Sequence, residues 1–233
     1  ERFGAQWAAM GSPGRYRSDY TADGMGWNFC VYEQEFADTV SQILARIVRE
    51  TDADGVRLDV MANLKPCFNP AHRHYRDDIR STVPADAAGN VLGTFTRTIH
   101  AAKPDAIVTT EHGGSDYLIQ FSDGYFAENI IWLSDRLPWE PYRALNMYQL
   151  VFTRFYFPEV KTWIHGPCDT REAIRMALFN AVGYACTSPE GAPVVHTLAE
   201  NADAFHCADP LPEPCIPTLQ THVYANRFTG KDK

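Results

Sequence analysis

Two short runs carry side chains that could do chemistry together: Gly55-Val56-Arg57-Leu58-Asp59 and Ile107-Val108-Thr109-Thr110-Glu111. Each reads as a buried parallel strand ending in a carboxylate. Successive side chains of a strand point to opposite faces, so Arg57 and Asp59 share one face and Val56 and Leu58 take the other. One face packs, and the other is left for chemistry. A buried charge is costly unless paired, so an inward Arg beside an inward Asp asks for a polar or ligand-filled interior. The mouth of a β/α barrel offers one at the strand C-termini. Within about 4 Å, the guanidinium would favour ionised Asp59 by an interaction on the order of 4 kcal/mol at an effective dielectric of about 20. Glu111 follows neutral threonines and precedes His112-Gly113-Gly114, with no cation locked beside it in sequence. Burial would raise its pKa toward the range a general acid needs. The expected pair is thus an anionic nucleophile and a carboxyl that keeps its proton. Two plainer readings stand beside it: an internal Arg57–Asp59 ion pair with no reaction, and a Glu111 that caps the next helix or pairs with a loop arginine.

The elements that must position these acids alternate in type. From Gly26 the pattern predicts a short strand, Trp27 to Tyr32, then an amphipathic helix with Phe36, Val40, Ile43, Leu44, Ile47 and Val48 on its apolar side. Thr51-Asp52-Ala53-Asp54-Gly55 ends that helix and turns into the Val56 to Asp59 strand, a connection of the length usual in β/α units. The loop from Met61 to about Ala85 is too long for a connector, and loops of that length carry function. Val91, Leu92, Phe95 and Ile99 mark a second helix, stopped at Lys103-Pro104-Asp105 before the Ala106 to Glu111 strand. Beyond it come a short helix at Tyr117 to Phe121, a strand at Gly124 to Ala127, a helix at Leu145 to Phe155, a strand at Val160 to His165 and a helix over Arg171 to Cys186.

That makes about five strands in βα order, whereas a closed barrel has eight and typically about 250 residues. The expected fold is α/β, a (β/α)8 TIM-type barrel that is incomplete, its first strands missing, followed by the start of a C-terminal β-domain. Residues 1–187 are read as the partial barrel. Residues 188–233 are read as a proline-rich tail into the β-domain, ending in the strand-like run Val223 to Phe228. Both ends are expected to be truncations, and the chain has no initiator Met. An open doubly wound sheet is the alternative, although no glycine fingerprint for a nucleotide stands at any strand–helix turn.

Asp54-Gly55-Val56-Arg57-Leu58-Asp59 resembles the strand-four motif of the α-amylase clan of retaining glycosidases, with Arg two positions before the nucleophilic Asp. From Trp27 to Phe228 the chain is also similar to a family of glycoside hydrolases with a barrel and a C-terminal β-domain, known mainly from sequence. The marks of that resemblance are Cys67-Phe68-Asn69-Pro70 with His72 and His74, Pro104-Asp105-Ala106-Ile107 running into Thr109-Thr110-Glu111, Ser122-Asp123-Gly124-Tyr125, and Phe157-Pro158-Glu159. The resemblance implies a retaining glycoside hydrolase of an oligo- or polysaccharide, with Asp59 as nucleophile and Glu111 as acid/base. Retaining hydrolysis uses one ionised and one protonated carboxyl about 5 to 5.5 Å apart, which neighbouring strands permit. The third carboxylate of the amylase clan, in an Asn-His-Asp run, has no counterpart here; His165 and Asp169 come nearest. In the α-galactosidase clan the acid lies on the sixth strand, which keeps Asp123 as runner-up acid.

His72, His74, His112 and His165 are candidate contacts to sugar hydroxyls, with Arg57 and Asp123, and Trp132, Trp139 and Tyr125 are candidate stacking platforms. For each aromatic, core packing is the simpler role, and for His165 and the 61–85 loop a structural role stands equally. Cys67, His72 and His74 offer metal ligands, but their spacing fits no standard zinc pattern and no second pair completes four, so neither metal nor cofactor is expected. Cys30 and Cys186 lie in apolar runs and read as buried reduced thiols; Cys207 and Cys215 could bridge in an oxidising compartment. A net charge of −8 without a basic cluster speaks against nucleic acid as partner. No run reaches the roughly 18 to 20 apolar residues of a membrane span. Secreted, periplasmic and cytoplasmic locations all stay open. The readings set against hydrolysis are a barrel that binds carbohydrate without cleaving it and a metal-dependent hydrolase using Cys67, His72 and His74.

Overall fold

The computed structural model describes residues 4–12, 14–16, 28–59, 67–72, 74, 85–111, 116–126, 156–165, 177–185, 189, 191–205, 217–221, 223 and 225–228. The chain forms two compact units, residues 1–108 and 109–233.

In the first unit, α1 (Gly4–Trp7) leads into an antiparallel pair, β1 (Met10–Ser12) and β2 (Arg15–Tyr16). Of the run expected as a strand at Trp27 to Tyr32, the described residues 28–32 make one antiparallel bridge, Ala8 to Phe29, and then a turn. The Cys30 N–H donates to the Trp7 carbonyl at 2.7 Å, and the Ala9 N–H to the Asn28 carbonyl at 2.8 Å. Its hydrogen bonds therefore go to the N-terminal segment.

The helix α2 (Gln34–Thr51) forms where its periodicity predicts, but its buried residues are Phe36, Ala37, Ser41, Ala45 and Val48. Ile43 and Ile47 stay 42% and 44% exposed. The inward row is small because α2 lies along α3 (Ala85–Ala102), which buries Gly89 and Gly93 among Val91, Leu92, Phe95 and Ile99. Small residues let two helices close up. Phe36 meets Phe95 edge-on at 6.3 Å.

Both helices feed short strands, β3 (Gly55–Leu58) and β4 (Ile107–Glu111), whose beginnings are tied together. The Ile107 N–H donates to the Asp54 carbonyl at 2.8 Å. A side chain on Gly55 would overlap the Ile107 carbonyl, so only glycine admits this approach. Lys103 fastens the same corner, donating to Asp52 Oδ1 at 3.0 Å and to the Asp52 and Ala53 carbonyls at 3.2 and 3.1 Å. The hydrogen bond to Asp52 raises the Lys103 pKa.

In the second unit β4, β5 (Gly124–Phe126), β6 (Lys161–His165) and β7 (Gly183–Ala185) pair in parallel, each with the next, in chain order. A short helix, α4 (Asp116–Ile119), stands between β4 and β5. The sequence pattern extends one helix through Cys186, but residues 177–180 are helical and β7 follows. The helix stops at Ala181, which takes the left-handed conformation at φ 49°. The Val182 N–H bonds the Ala177 carbonyl at 3.0 Å and the Ala181 N–H the Leu178 carbonyl at 3.2 Å, the paired bonds of a Schellman stop.

Further on, α5 (Ala192–Glu200) and α6 (Ala202–Phe205) occupy the tail from which a β-domain was expected. Pro193 causes no break because it sits in the first turn, where its missing N–H would have no partner. Among the described residues of 223–228 there is no strand; Asn226 Nδ2 donates to the Phe179 carbonyl at 2.7 Å, and Phe228 meets Phe205 at 5.0 Å. The expected helix at Leu145 to Phe155 lies outside the described residues. Among those described, no helix is long and apolar enough to cross a membrane.

Candidate functional site

Glu111 closes β4 and is buried, 8% exposed, as the strand reading requires. The sheet register sets Glu111 beside Phe126, Phe126 beside Trp163 and Trp163 beside Gly183. Residues level with one another in a parallel sheet project to the same face. Phe126 and Trp163 confirm this, stacked with ring centroids 5.6 Å apart and planes 23° from parallel. The indole lies over two glycines: a side chain at Gly124 or Gly183 would overlap it. The result is a buried carboxyl at the edge of a half-buried aromatic surface on the sheet face. A carboxyl can pass a proton, and aromatic faces suit the apolar C–H face of a sugar ring.

Phe126 and Trp163 were not among the expected platforms, and only the pairing of β5 with β6 reveals them. Tyr125, which was expected, is 1% exposed and alternates to the other face, where it is core. Asp123 precedes β5 at its N-terminal end, where its carbonyl accepts from the Lys161 N–H at 2.8 Å. It sits three residues, about 10 Å of strand, below the level of Glu111. The runner-up acid thus stands at the end of the strand away from the acid it would replace. His165 is the last residue of β6, two positions beyond Trp163. His112, Trp132, Trp139 and Asp169 lie outside the described residues, as do Cys168, Cys186, Cys207 and Cys215.

In the first unit Asp59 follows β3 directly, and Arg57 Nη2 stands 3.7 Å from Asp59 Oδ1. Leu58 is buried between them, in keeping with the alternation. The setting differs from the expected dry interior: the two side chains are 39% and 69% exposed. Water screens such a pair, so its coupling falls from the order of 4 kcal/mol to about 1 kcal/mol or less.

The loop after β3 brings together a group that its spacing hides. Donor atoms of Cys30, Cys67, His72 and His74 all lie within 4.8 Å of one another. Cys30 Sγ is 3.1 Å from His74 Nε2, and Cys67 Sγ is 3.4 Å from His72 Nδ1. Cys30, Cys67 and His72 are 1%, 3% and 4% exposed, and neither cysteine is in a disulfide. The Cys30 thiol is pushed up by the hydrogen bond it gives Cys67 and by burial; the same bond pulls Cys67 down toward thiolate. Burial pushes His72 down, but the hydrogen bond and charge of Cys67, the Gln6 carbonyl and Glu33 outweigh it, and the net shift is upward. Only three of these residues share one stretch of sequence, because Cys30 lies 37 positions before Cys67. Neither His72 nor His74 is set out toward solvent as a contact to sugar would be: His72 is buried, and His74 packs on Tyr32 at 4.5 Å.

Neither described protein families nor curated proteins give a match to this chain. Among solved structures it is similar to α-L-fucosidase isoenzyme 2 from Paenibacillus thiaminolyticus, at a TM-score of 0.48 and 16% identity over 85% of this chain. The chain spans 34% of the length of that protein.

Proposed function

We propose that the chain belongs to a glycoside hydrolase of retaining mechanism acting on an oligo- or polysaccharide, its strands forming part of a (β/α)8 barrel. The observation that carries the reading is the buried Glu111 level with the Phe126–Trp163 stack on one sheet face. In this reading the sugar ring lies on the aromatic surface. Asp59 attacks the anomeric carbon to form a glycosyl ester while Glu111 protonates the departing oxygen; Glu111 then takes a proton from water, which releases the sugar and restores Asp59. Glu111 is buried, and Asp59 is water-exposed beside Arg57.

The full chain is to be assayed on a panel of aryl glycosides beside Asp59→Ala and Glu111→Ala. Glu111→Ala is expected to lower the rate by about 10²- to 10⁴-fold. Azide should restore turnover and yield a glycosyl azide of defined configuration. Equal rates in all three proteins would refute the assignment. The exposure of Asp59 favours one other reading, a barrel that binds carbohydrate without cleaving it. It predicts that Trp163→Ala abolishes oligosaccharide binding while no glycoside is turned over.

A further inference from the structure

We propose that Cys30, Cys67, His72 and His74 hold one structural zinc ion, a site that stands independently of the glycosidase reading. The donor set is two sulfurs and two imidazole nitrogens within 4.8 Å of one another. Zinc sits tetrahedrally about 2.3 Å from sulfur and 2.0 to 2.1 Å from nitrogen, which makes the edges of the ligand tetrahedron about 3.3 to 3.8 Å. Two of the four sulfur–nitrogen edges, at 3.1 and 3.4 Å, need little adjustment to admit the ion. A tetrahedral S₂N₂ set selects zinc among the common divalent metals. Four protein ligands leave no open position, so the ion is structural and not catalytic.

The surroundings are those of a prepared site. His72 Nε2 lies 2.8 Å from the Gln6 carbonyl, which calls for a proton on Nε2 and leaves the Nδ1 lone pair facing Cys67. Fixing a ligating histidine through its other nitrogen is the usual outer support of a metal site. Asn69 is fixed beside the His72 ring: its Nδ2 donates to the Ala8 carbonyl at 2.9 Å, and its Oδ1 accepts the Ala71 N–H at 3.0 Å. Glu33 Oε1 stands 3.9 Å from His72 Nδ1 as an outer charge. A disulfide would consume the two sulfurs that face the imidazoles.

The ligands come from two stretches, the turn after the Ala8–Phe29 bridge and the loop that follows β3. Both are bonded to residues 6–10: Cys30 to the Trp7 carbonyl, His72 to that of Gln6, and Phe68 to that of Met10 at 2.8 Å. The ion joins segments that carry little regular structure of their own, which is how small metal sites contribute to folding.

The test uses the full chain purified without chelator. Elemental analysis is expected to find one zinc per chain, and zinc-edge X-ray absorption a shell of two sulfurs and two nitrogens. Exchange for cobalt(II) should bring thiolate-to-cobalt charge transfer and the strong visible bands of tetrahedral cobalt. Cys30→Ser and His74→Ala should weaken zinc binding at least tenfold, while His74→Cys, which keeps four ligands, retains it. Should the variants fail to fold, the absorption spectra of the unsubstituted chain decide. A chain that takes up no zinc when supplied with it, a metal shell without sulfur, or a mass two hydrogens short from a Cys30–Cys67 disulfide would each overturn the proposal. None of these readouts uses glycosidase activity, so either proposal can fail while the other stands.

Discussion

Gly183→Ala tests the aromatic surface beside Glu111 through the packing that creates it. A Cβ at position 183 would overlap indole Cδ1 of Trp163 and stand 2.5 Å from Nε1 and 2.8 Å from Cγ. Carbon contacts settle at about 3.5 to 4.0 Å, so the ring edge at Cδ1 must lift by about 1.5 Å. Overpacking of this kind costs about 1 to 3 kcal/mol. Lifting the ring also loosens its stack on Phe126, a pair worth about 0.5 to 1.5 kcal/mol. The expected destabilisation is about 2 to 3 kcal/mol, or a melting temperature lower by about 5 to 10 °C. In a Trp163→Leu background the overlap is gone, and the ordinary strand preference for alanine over glycine leaves Gly183→Ala neutral or slightly stabilising. The coupling between the two changes should therefore reach about 2 kcal/mol. Urea melts followed by far-ultraviolet circular dichroism give the four stabilities, and amide exchange over residues 161–165 and 183–185 shows whether the loss is local. If the cost of Gly183→Ala is the same within about 0.5 kcal/mol in both backgrounds, the indole does not cover Gly183 and the proposed platform loses its foundation.

Two further outcomes follow from contacts in the first unit. Gly55→Ala sets a methyl against the Ile107 carbonyl, a backbone atom that cannot move without breaking the Asp54–Ile107 hydrogen bond; the loss should exceed about 3 kcal/mol, and a soluble variant with unchanged melting would refute the strand pairing. Arg57→Met should change stability by less than about 1 kcal/mol, with the difference vanishing in high salt, because its partner Asp59 is 69% exposed; a loss above about 2 kcal/mol in a urea melt would mean that the pair is desolvated after all.

Elements written in local periodicity were legible in the sequence. Val91, Leu92, Phe95 and Ile99 are all buried, α3 ends at Ala102 before Lys103-Pro104, and β3 and β4 start within a residue of the positions expected. The inner face of α2 was not, although its helix was. A helix shows which residues share a side, but the partner decides which side is covered, and the glycines of α3 favour the Ala37-Ser41-Ala45 row over Ile43 and Ile47. The end of the 177–180 helix was hidden for a different reason. A left-handed C′ position is ordinarily marked by glycine or asparagine, and here alanine holds it, between Asn180 and Val182. Helical periodicity therefore ran on through what is β7.

Functional groups were legible only as far as chemistry stays close in sequence. Asp59 and Glu111 announce themselves because a carboxylate at a strand end is a local pattern. The Glu111–Phe126–Trp163 row is set by strand register, which no single segment contains. Cys30 and its partners present the same problem: a buried thiol in an apolar run and a Cys-His loop each have an ordinary explanation, and only the hydrogen bonds that fold both onto residues 6–10 bring four ligands together. That has a physical consequence. Under the zinc proposal the ion ties together two segments that also pack on each other through Ala9, Cys30, Cys67 and Tyr32. Loss of the proposed ion should raise amide exchange over residues 67–72 before it disturbs the packing of α2 against α3.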